Sequence, residues 1–292
     1  MHGVGRATAA VTIVNALPTG IGCALGIGLE AEVTVDLEPR PIGSETELTA
    51  DPAHASPVVT TAFRLAVAKF LGGRPILGRL VVRSAVPVAR GLKSSSAVAS
   101  ATARAVAAAA GARAPPEEIA RLSAVAGRTA GVSATGAFDD ALAGVLPGFV
   151  VTDNGADQLL RSGLAEPGWE AALLVPEARH RPSPEWATAF ARERSRGREA
   201  AELAQAGKWW AAMESNTRLV ESVMGYTYEA LRTELRAAGA LAAGVSGLGP
   251  ALAAIQPATR TEEVVRVLER REGEVLKVPV SGTPIAARGA GP

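Results

Sequence analysis

The stretch Pro87-Val88-Ala89-Arg90-Gly91-Leu92-Lys93-Ser94-Ser95-Ser96-Ala97 constrains this chain more than any other. Glycine lets backbone approach a ligand, and three consecutive hydroxyls stand before an alanine-rich run, Ala97 to Ala110, that reads as a helix stopped at Gly111. The first amides of such a helix have no internal acceptor, and its dipole adds partial positive charge at the same end. Lys93 adds a full charge, and a serine hydroxyl can ligate a phosphate-bound magnesium ion, so phosphate is the natural ligand. A serine cap on a surface helix is the alternative for any single serine, and three in a row behind Gly-Leu-Lys weaken it. The stretch is not a Walker A loop, because Leu92 separates Gly91 from Lys93 and Val86 stands where the first glycine belongs. A dinucleotide fingerprint is also absent, since Gly20, Gly22 and Gly26 have the wrong spacing and Gly247-Leu248-Gly249 runs into Pro250.

Two further loops carry candidate chemistry. Gly131-Val132-Ser133-Ala134-Thr135-Gly136-Ala137-Phe138-Asp139-Asp140-Ala141 sets adjacent acids among small and apolar residues, where a carboxylate is costly without a partner. Such an acid can accept the proton of an attacking hydroxyl or hold magnesium, and it can equally cap a helix. The second, Gly244 to Pro250, is a glycine-rich loop with one serine, a pattern that brings amides against a ligand and that turn chemistry also explains.

Around these loops the first half alternates strands and helices. Val11 to Val14 and Glu32 to Leu37 read as strands with a tight loop across the glycine-dense Gly20 to Gly28. Pro57 to Leu71 reads as a helix, Leu80 to Arg83 as a strand, and Pro115 to about Gly127 as a second helix with acids in its first turn. Phe149 to Thr152 and Ala171 to Val175 read as strands, Arg179 to Gly239 as mostly helical, Thr261 to Arg271 as a helix and Glu274 to Val280 as a closing strand. The expected division lies between Val151 and Leu174 and is drawn as 1–155 and 156–292.

With 292 residues, 48% of them hydrophobic, the chain can bury a core, and a net charge of +1 gives no bulk reason to bind nucleic acid or an anionic membrane. The one cysteine, Cys23, excludes an intramolecular disulfide, and His2, His54 and His180 are too far apart to suggest a local metal motif. No export signal or spanning segment is apparent, so a cytoplasmic protein is expected, with the oligomeric state left open.

In order and pattern these segments resemble the three motifs of the GHMP small-molecule kinase superfamily. Within it the chain is most similar to the archaeal-type shikimate kinases, on Gly91-Leu92-Lys93-Ser94-Ser95-Ser96-Ala97, on Thr135-Gly136-Ala137-Phe138-Asp139-Asp140-Ala141 and on Val150-Val151-Thr152-Asp153-Asn154. Ala16 to Ile27 resembles that family's opening motif and Gly244 to Ala251 its last one.

The resemblance implies an α+β kinase of two domains, the first like domain 2 of ribosomal protein S5 and the second ferredoxin-like, with the active site between them. It places ATP along Pro87, Arg90, Gly91, Leu92, Lys93, Ser94, Ser95, Ser96 and Ala97, makes Ser95 the Mg2+ ligand through the phosphates, and makes Asp139 the base for the shikimate 3-hydroxyl with Lys93 assisting. Asn15, Thr19, Thr135, Gly136, Ser246 and Gly247 are the candidate substrate contacts, and Arg6, Arg90, Lys93 and Arg128 the candidate cations for a substrate carboxylate. The magnesium-binding glutamate of mevalonate-kinase-like members has no counterpart at Arg128 to Gly131, leaving Asp140 as a candidate. Asp139 disfavours the related homoserine kinases, which usually lack that aspartate. A non-catalytic sensor on the same fold would retain binding and lose turnover.

Overall fold

A computed structural model describes residues 1–51, 56–133, 135–178 and 184–280. His54, Ala134, Arg179 and His180 lie outside the described residues.

The first sheet is built on one long strand, β2 (Ile21–Pro39). Along one edge it pairs with β1 (His2–Val14), from His2↔Asp36 to Val14↔Cys23. The other edge is shared: Ala31 to Pro39 pairs with β4 (Ile76–Ser84), and Ile21 to Leu25 pairs with β5 (Phe149–Asp153). β3 (Glu47–Ala50) runs parallel to β4 and is joined to it through helix α1 (Pro57–Phe70). The alanine-rich α2 (Ser94–Ala109), α3 (Pro116–Thr129) and the short α4 (Phe138–Ala143) complete this half.

β2 overturns the expected strand-loop-strand reading of Gly20 to Gly28. The loop is confined to Asn15 to Gly20, and the glycines that follow lie within the strand. Glycine inside a strand weakens it unless something approaches too closely for a side chain. That is the case here: a Cβ on Gly22 would stand 2.4 Å from Asp139 Oδ2, and one on Gly28 would stand 2.6 Å from the Pro279 ring.

An unexpected strand, β6 (Gln158–Gly163), is a largely exposed edge carrying Arg161 and Ser162 that pairs with β5 from Phe149↔Gly163 to Asp153↔Gln158. Residues 158–163 therefore belong to the first sheet, and a division at residue 155 would cut this hairpin. The change of sheet falls between Gly163 and Trp169.

The second sheet is antiparallel, in the order β10-β7-β9-β8: β7 (Trp169–Val175), β8 (Ala242–Val245), β9 (Leu252–Pro257) and β10 (Glu274–Pro279). Helices α5 (Pro184–Arg192), α6 (Arg194–Gln205), α7 (Trp209–Met224), α8 (Glu229–Ala237) and α9 (Thr261–Leu268) accompany it. The expected loop over Gly244 to Pro250 runs instead from Ser246 to Ala251, because both flanks pair as strands, Val245↔Leu252 among them.

One apolar core runs across both sheets, with Val11, Ile13 and Leu25 packed into the same cluster as Ala171, Leu173, Ala253 and Ile255. Phe149 stacks on Trp209 at 4.5 Å between ring centroids, with Trp169 and Trp210 against its edges. Burial of this continuous apolar surface fixes the two sheets relative to each other. It also fixes the loops at their junction, where the candidate residues lie.

Candidate active site

Between β4 and α2 the backbone takes the left-handed conformation at Ala89 (φ 59°), Gly91 (φ 87°) and Lys93 (φ 67°). Two of these residues carry a Cβ, so the conformation is held by its surroundings. The Ser246 hydroxyl donates to the Gly91 carbonyl at 2.8 Å, the Ala251 N–H donates to the Arg90 carbonyl at 3.2 Å, and the Arg90 guanidinium donates to the carbonyls of Pro176 and Ala178. Lys93 caps α2 without a side-chain hydrogen bond to the helix. The amides of Ser94 to Ser96 thus begin a helix of 16 residues with their orphan donors free for an anion.

The last glycine-rich loop secures this cradle. Ser246 Oγ also accepts the Thr12 N–H at 3.2 Å, the Gly247 N–H donates to Thr12 Oγ1 at 2.9 Å, and Asn15 Nδ2 donates to the Gly247 carbonyl at 3.2 Å. Ser246 is fully buried with its hydroxyl doubly engaged, which makes it a strut between β1 and the cradle.

Both acids lie in the first turn of α4, entered through Ala137 in the left-handed region (φ 52°), and both are buried. Asp139 is held by Asn154: its N–H donates to Asn154 Oδ1 at 3.1 Å, and Asn154 Nδ2 donates to Asp139 Oδ1 at 2.7 Å. Asp140 Oδ2 lies 3.1 Å from Lys93 Nζ, whereas its Oδ1 is buried with no hydrogen-bond partner among the described residues. Burial, and then the neighbouring Asp139 charge, push the Asp140 carboxyl up to about 7 against the opposing pull of Lys93. Burial and the charge of Asp139 likewise push the thiol of Cys23, on β2, well above its ordinary value. Two carboxylates with one ammonium leave this corner short of positive charge, which fits a divalent cation. Among the described residues no three His, Cys, Asp or Glu side chains come together as a cage, so such an ion would need oxygens from its ligand as well.

The cradle and the acids line one cavity of about 500 Å3. Of the residues singled out from sequence, Asn15, Gly91, Leu92, Lys93, Ser94, Ser95, Ser96, Thr135, Gly136, Asp139 and Gly247 line it. Five others do not. Pro87 and Arg90 face the neighbouring cleft, Ala97 is buried in the body of α2, Ser246 lies beneath the wall, and Thr19 Oγ1 accepts the Ile21 N–H at 3.1 Å in its own turn. Of the four candidate cations, Lys93 lines the cavity. Arg6, on β1, pairs with Glu32 on β2, Arg128 forms a two-pronged pair with Asp157 at 2.9 and 2.5 Å, and Arg90 is turned to main-chain carbonyls.

Asn154, Thr152, Gly22 and Thr12 carry no sequence signal of a role at the site, and neither does Trp186 of α5 on the cavity wall. Asp153-Asn154-Gly155 signals a turn and does form one, with Asp153 Oδ1 accepting the Gly155 N–H at 2.8 Å. That local signal says nothing of which way the asparagine side chain faces.

Residues 58–148 match the family model for the GHMP kinases N terminal domain. The chain is 34% identical over 267 residues to a shikimate kinase of Halobacterium salinarum, covering 90% of this chain and 92% of the relative. It is 35% identical over 270 residues to a shikimate kinase of Pyrococcus abyssi, covering 91% and 94%. In fold it is similar to the mevalonate kinase of Methanococcus jannaschii, with a TM-score of 0.74 at 14% identity over 96% of this chain and 98% of that one. It is also similar to a homoserine kinase from Cytophaga hutchinsonii, with a TM-score of 0.69 at 16% identity over 96% and 95%. Likeness to these structures establishes the α+β architecture, and likeness to the archaeal sequences narrows the branch. The chain belongs to the archaeal-type shikimate kinases of the GHMP kinase superfamily.

Proposed function

We propose that this cavity is where ATP phosphorylates the 3-hydroxyl of shikimate, giving shikimate 3-phosphate and ADP. The observation that carries the reading is that the serine cradle and the Asn154-held carboxylate of Asp139 line the same cavity. A phosphoryl donor on the amides of Ser94 to Ser96 and an alcohol beside Asp139 are then confined together, which lowers the entropic part of the barrier. In the transfer the hydroxyl oxygen bonds to the γ-phosphorus, the bond from that phosphorus to the departing ADP oxygen breaks, and the hydroxyl proton passes to Asp139. Lys93, kept in the cavity by Asp140, and the cradle amides offset the charge on the phosphoryl oxygens.

The metal in this reading is Mg2+, whose chemistry is to neutralise the polyphosphate. Ser95 would hold it in the cradle, as the resemblance implies, and Oδ1 of Asp140, buried with no hydrogen-bond partner among the described residues, would be the second oxygen. Asn15, Thr135, Gly136 and Gly247 bound the space left for the substrate ring.

The test is ADP release with Mg2+ and ATP against shikimate, homoserine, mevalonate and galactose in parallel. Turnover with shikimate is expected. Turnover with another alcohol in its place would move the specificity, and ATP binding without turnover on any would replace the enzyme by a sensor.

A further inference from the structure

Asn154 stands at the start of the β5–β6 turn and is 1% exposed. Its main chain is fixed by the N–H donating to the Gly20 carbonyl at 2.9 Å. Its side-chain oxygen accepts two hydrogen bonds, from the Asp139 N–H at 3.1 Å and from the Thr152 hydroxyl at 2.7 Å. A backbone N–H can only donate, so the oxygen of the Asn154 amide must face it, and the NH2 group must face the Asp139 carboxylate. That NH2 donates to Asp139 Oδ1 at 2.7 Å. One lone pair of Oδ1 is thereby committed to a protein donor, which favours Oδ2 as the oxygen that meets a substrate proton.

Thr152 completes the device. It is fully buried on β5, its hydroxyl hydrogen is spent on Asn154 Oδ1, and it pairs across the sheet with Gly22, whose missing side chain leaves room for Asp139. Main chain and side chain of Asp139 are thus both held by a single amide that is itself oriented by a threonine.

We infer that Asn154, oriented by Thr152, is a positioning residue that fixes which oxygen of Asp139 meets the substrate hydroxyl. The inference deepens the proposed reaction and rests on Asp139 being its base. A misplacement of about 1 Å at a reacting group costs about 100-fold in rate.

The test compares Asn154→Asp, which keeps the shape and the acceptor for the Asp139 N–H but replaces the neutral NH2 donor by a carboxyl that must share a proton with Asp139, with the pair Thr152→Val and Thr152→Ser. Each variant is measured for kcat, for KM of the alcohol and of ATP, for ATP affinity and for thermal midpoint. Asn154→Asp should lower kcat about 100-fold, with both KM values and ATP affinity within about threefold. Thr152→Val should lower kcat about tenfold, and Thr152→Ser, which restores the hydroxyl, should recover it. If Asn154→Asp does not fold, the valine-serine contrast decides alone.

Near-normal kcat in Asn154→Asp, equal kcat in the two Thr152 variants, or losses that follow ATP affinity and melting would overturn the inference while leaving the reaction intact. Absence of turnover by the unaltered enzyme on every alcohol would overturn the reaction, and this inference with it.

Discussion

Gly22 on β2 and Asp139 on α4 are packed so closely that a single methyl group cannot be placed between them. A Cβ on Gly22 would lie 2.4 Å from Oδ2 and 2.6 Å from Cγ of the Asp139 carboxylate. The glycine is required by its neighbour, and the neighbour is the group assigned to take the substrate proton. A strand that looked like a loop in sequence therefore forms the wall behind the proposed base.

Gly22→Ala should cost both stability and rate. Forcing a methyl into this contact shifts α4 or β2, an overpacking typically worth about 1–3 kcal/mol. Displacing Asp139 should also lower kcat about 100-fold. Urea denaturation and steady-state kinetics on the same preparation check both effects, and a variant that melts and turns over normally would show that the contact relaxes freely.

Cys23 follows Gly22 and is fully buried, its thiol pushed up by burial and by Asp139. The thiolate is the reactive form, so Cys23 should resist a thiol reagent in the folded protein and react with one equivalent once the chain is unfolded. The labelling rate across a denaturant series should follow global unfolding. Rapid labelling in native buffer would mean that β2 opens locally beside the active site.

These two residues also show where sequence reading succeeds and where it stops. The glycine-serine turn into α2 was legible because its determinants are local: the glycine, the hydroxyl run, and the alanine helix whose first amides need an acceptor. Asp139 and Asp140 stood out because acids are costly among apolar neighbours. β2 was not legible, since the glycine signal for a turn is overridden by contacts with residues more than a hundred positions away, Asp139 and Pro279. β6 carries exposed polar residues and exists through its pairing with β5. Ser246 looked like a ligand group because it sits in a glycine-rich loop, and only the tertiary structure directs its hydroxyl to Gly91. Asn154 was hidden in the same way, behind a genuine turn signal.

The Asp139–Asp140–Lys93 corner should make the ligand-free protein sensitive to pH. The folded-state pKa of Asp140, about 7, lies above the roughly 3.9 of an unfolded aspartate. The folded state therefore holds the proton more tightly, and the stability this gives below about pH 4 is lost as pH rises through about 7. Asp140→Asn removes that titration, so its thermal midpoint relative to the unaltered protein should rise steadily between roughly pH 4 and roughly pH 8. Calorimetry without nucleotide across that range checks it, and a difference independent of pH would place the titration elsewhere.

Asp139→Asn separates chemistry from architecture. The new amide can turn its oxygen toward Asn154 Nδ2, preserving the bond now made at 2.7 Å, and its main-chain N–H still reaches Asn154 Oδ1. Packing against Gly22 is nearly unchanged because the two side chains have the same shape. What changes is the other arm, which becomes an NH2 group and cannot accept the proton of an attacking hydroxyl. The variant should keep its melting temperature and bind ATP through the untouched amides of Ser94 to Ser96, yet lose about 100- to 10,000-fold in kcat. Calorimetric titration with ATP alongside ADP-release kinetics separates the two properties. If kcat were to stay within about threefold, the transfer would not need a protein base, and Asp139 would act only by fixing the geometry around Gly22 and Asn154.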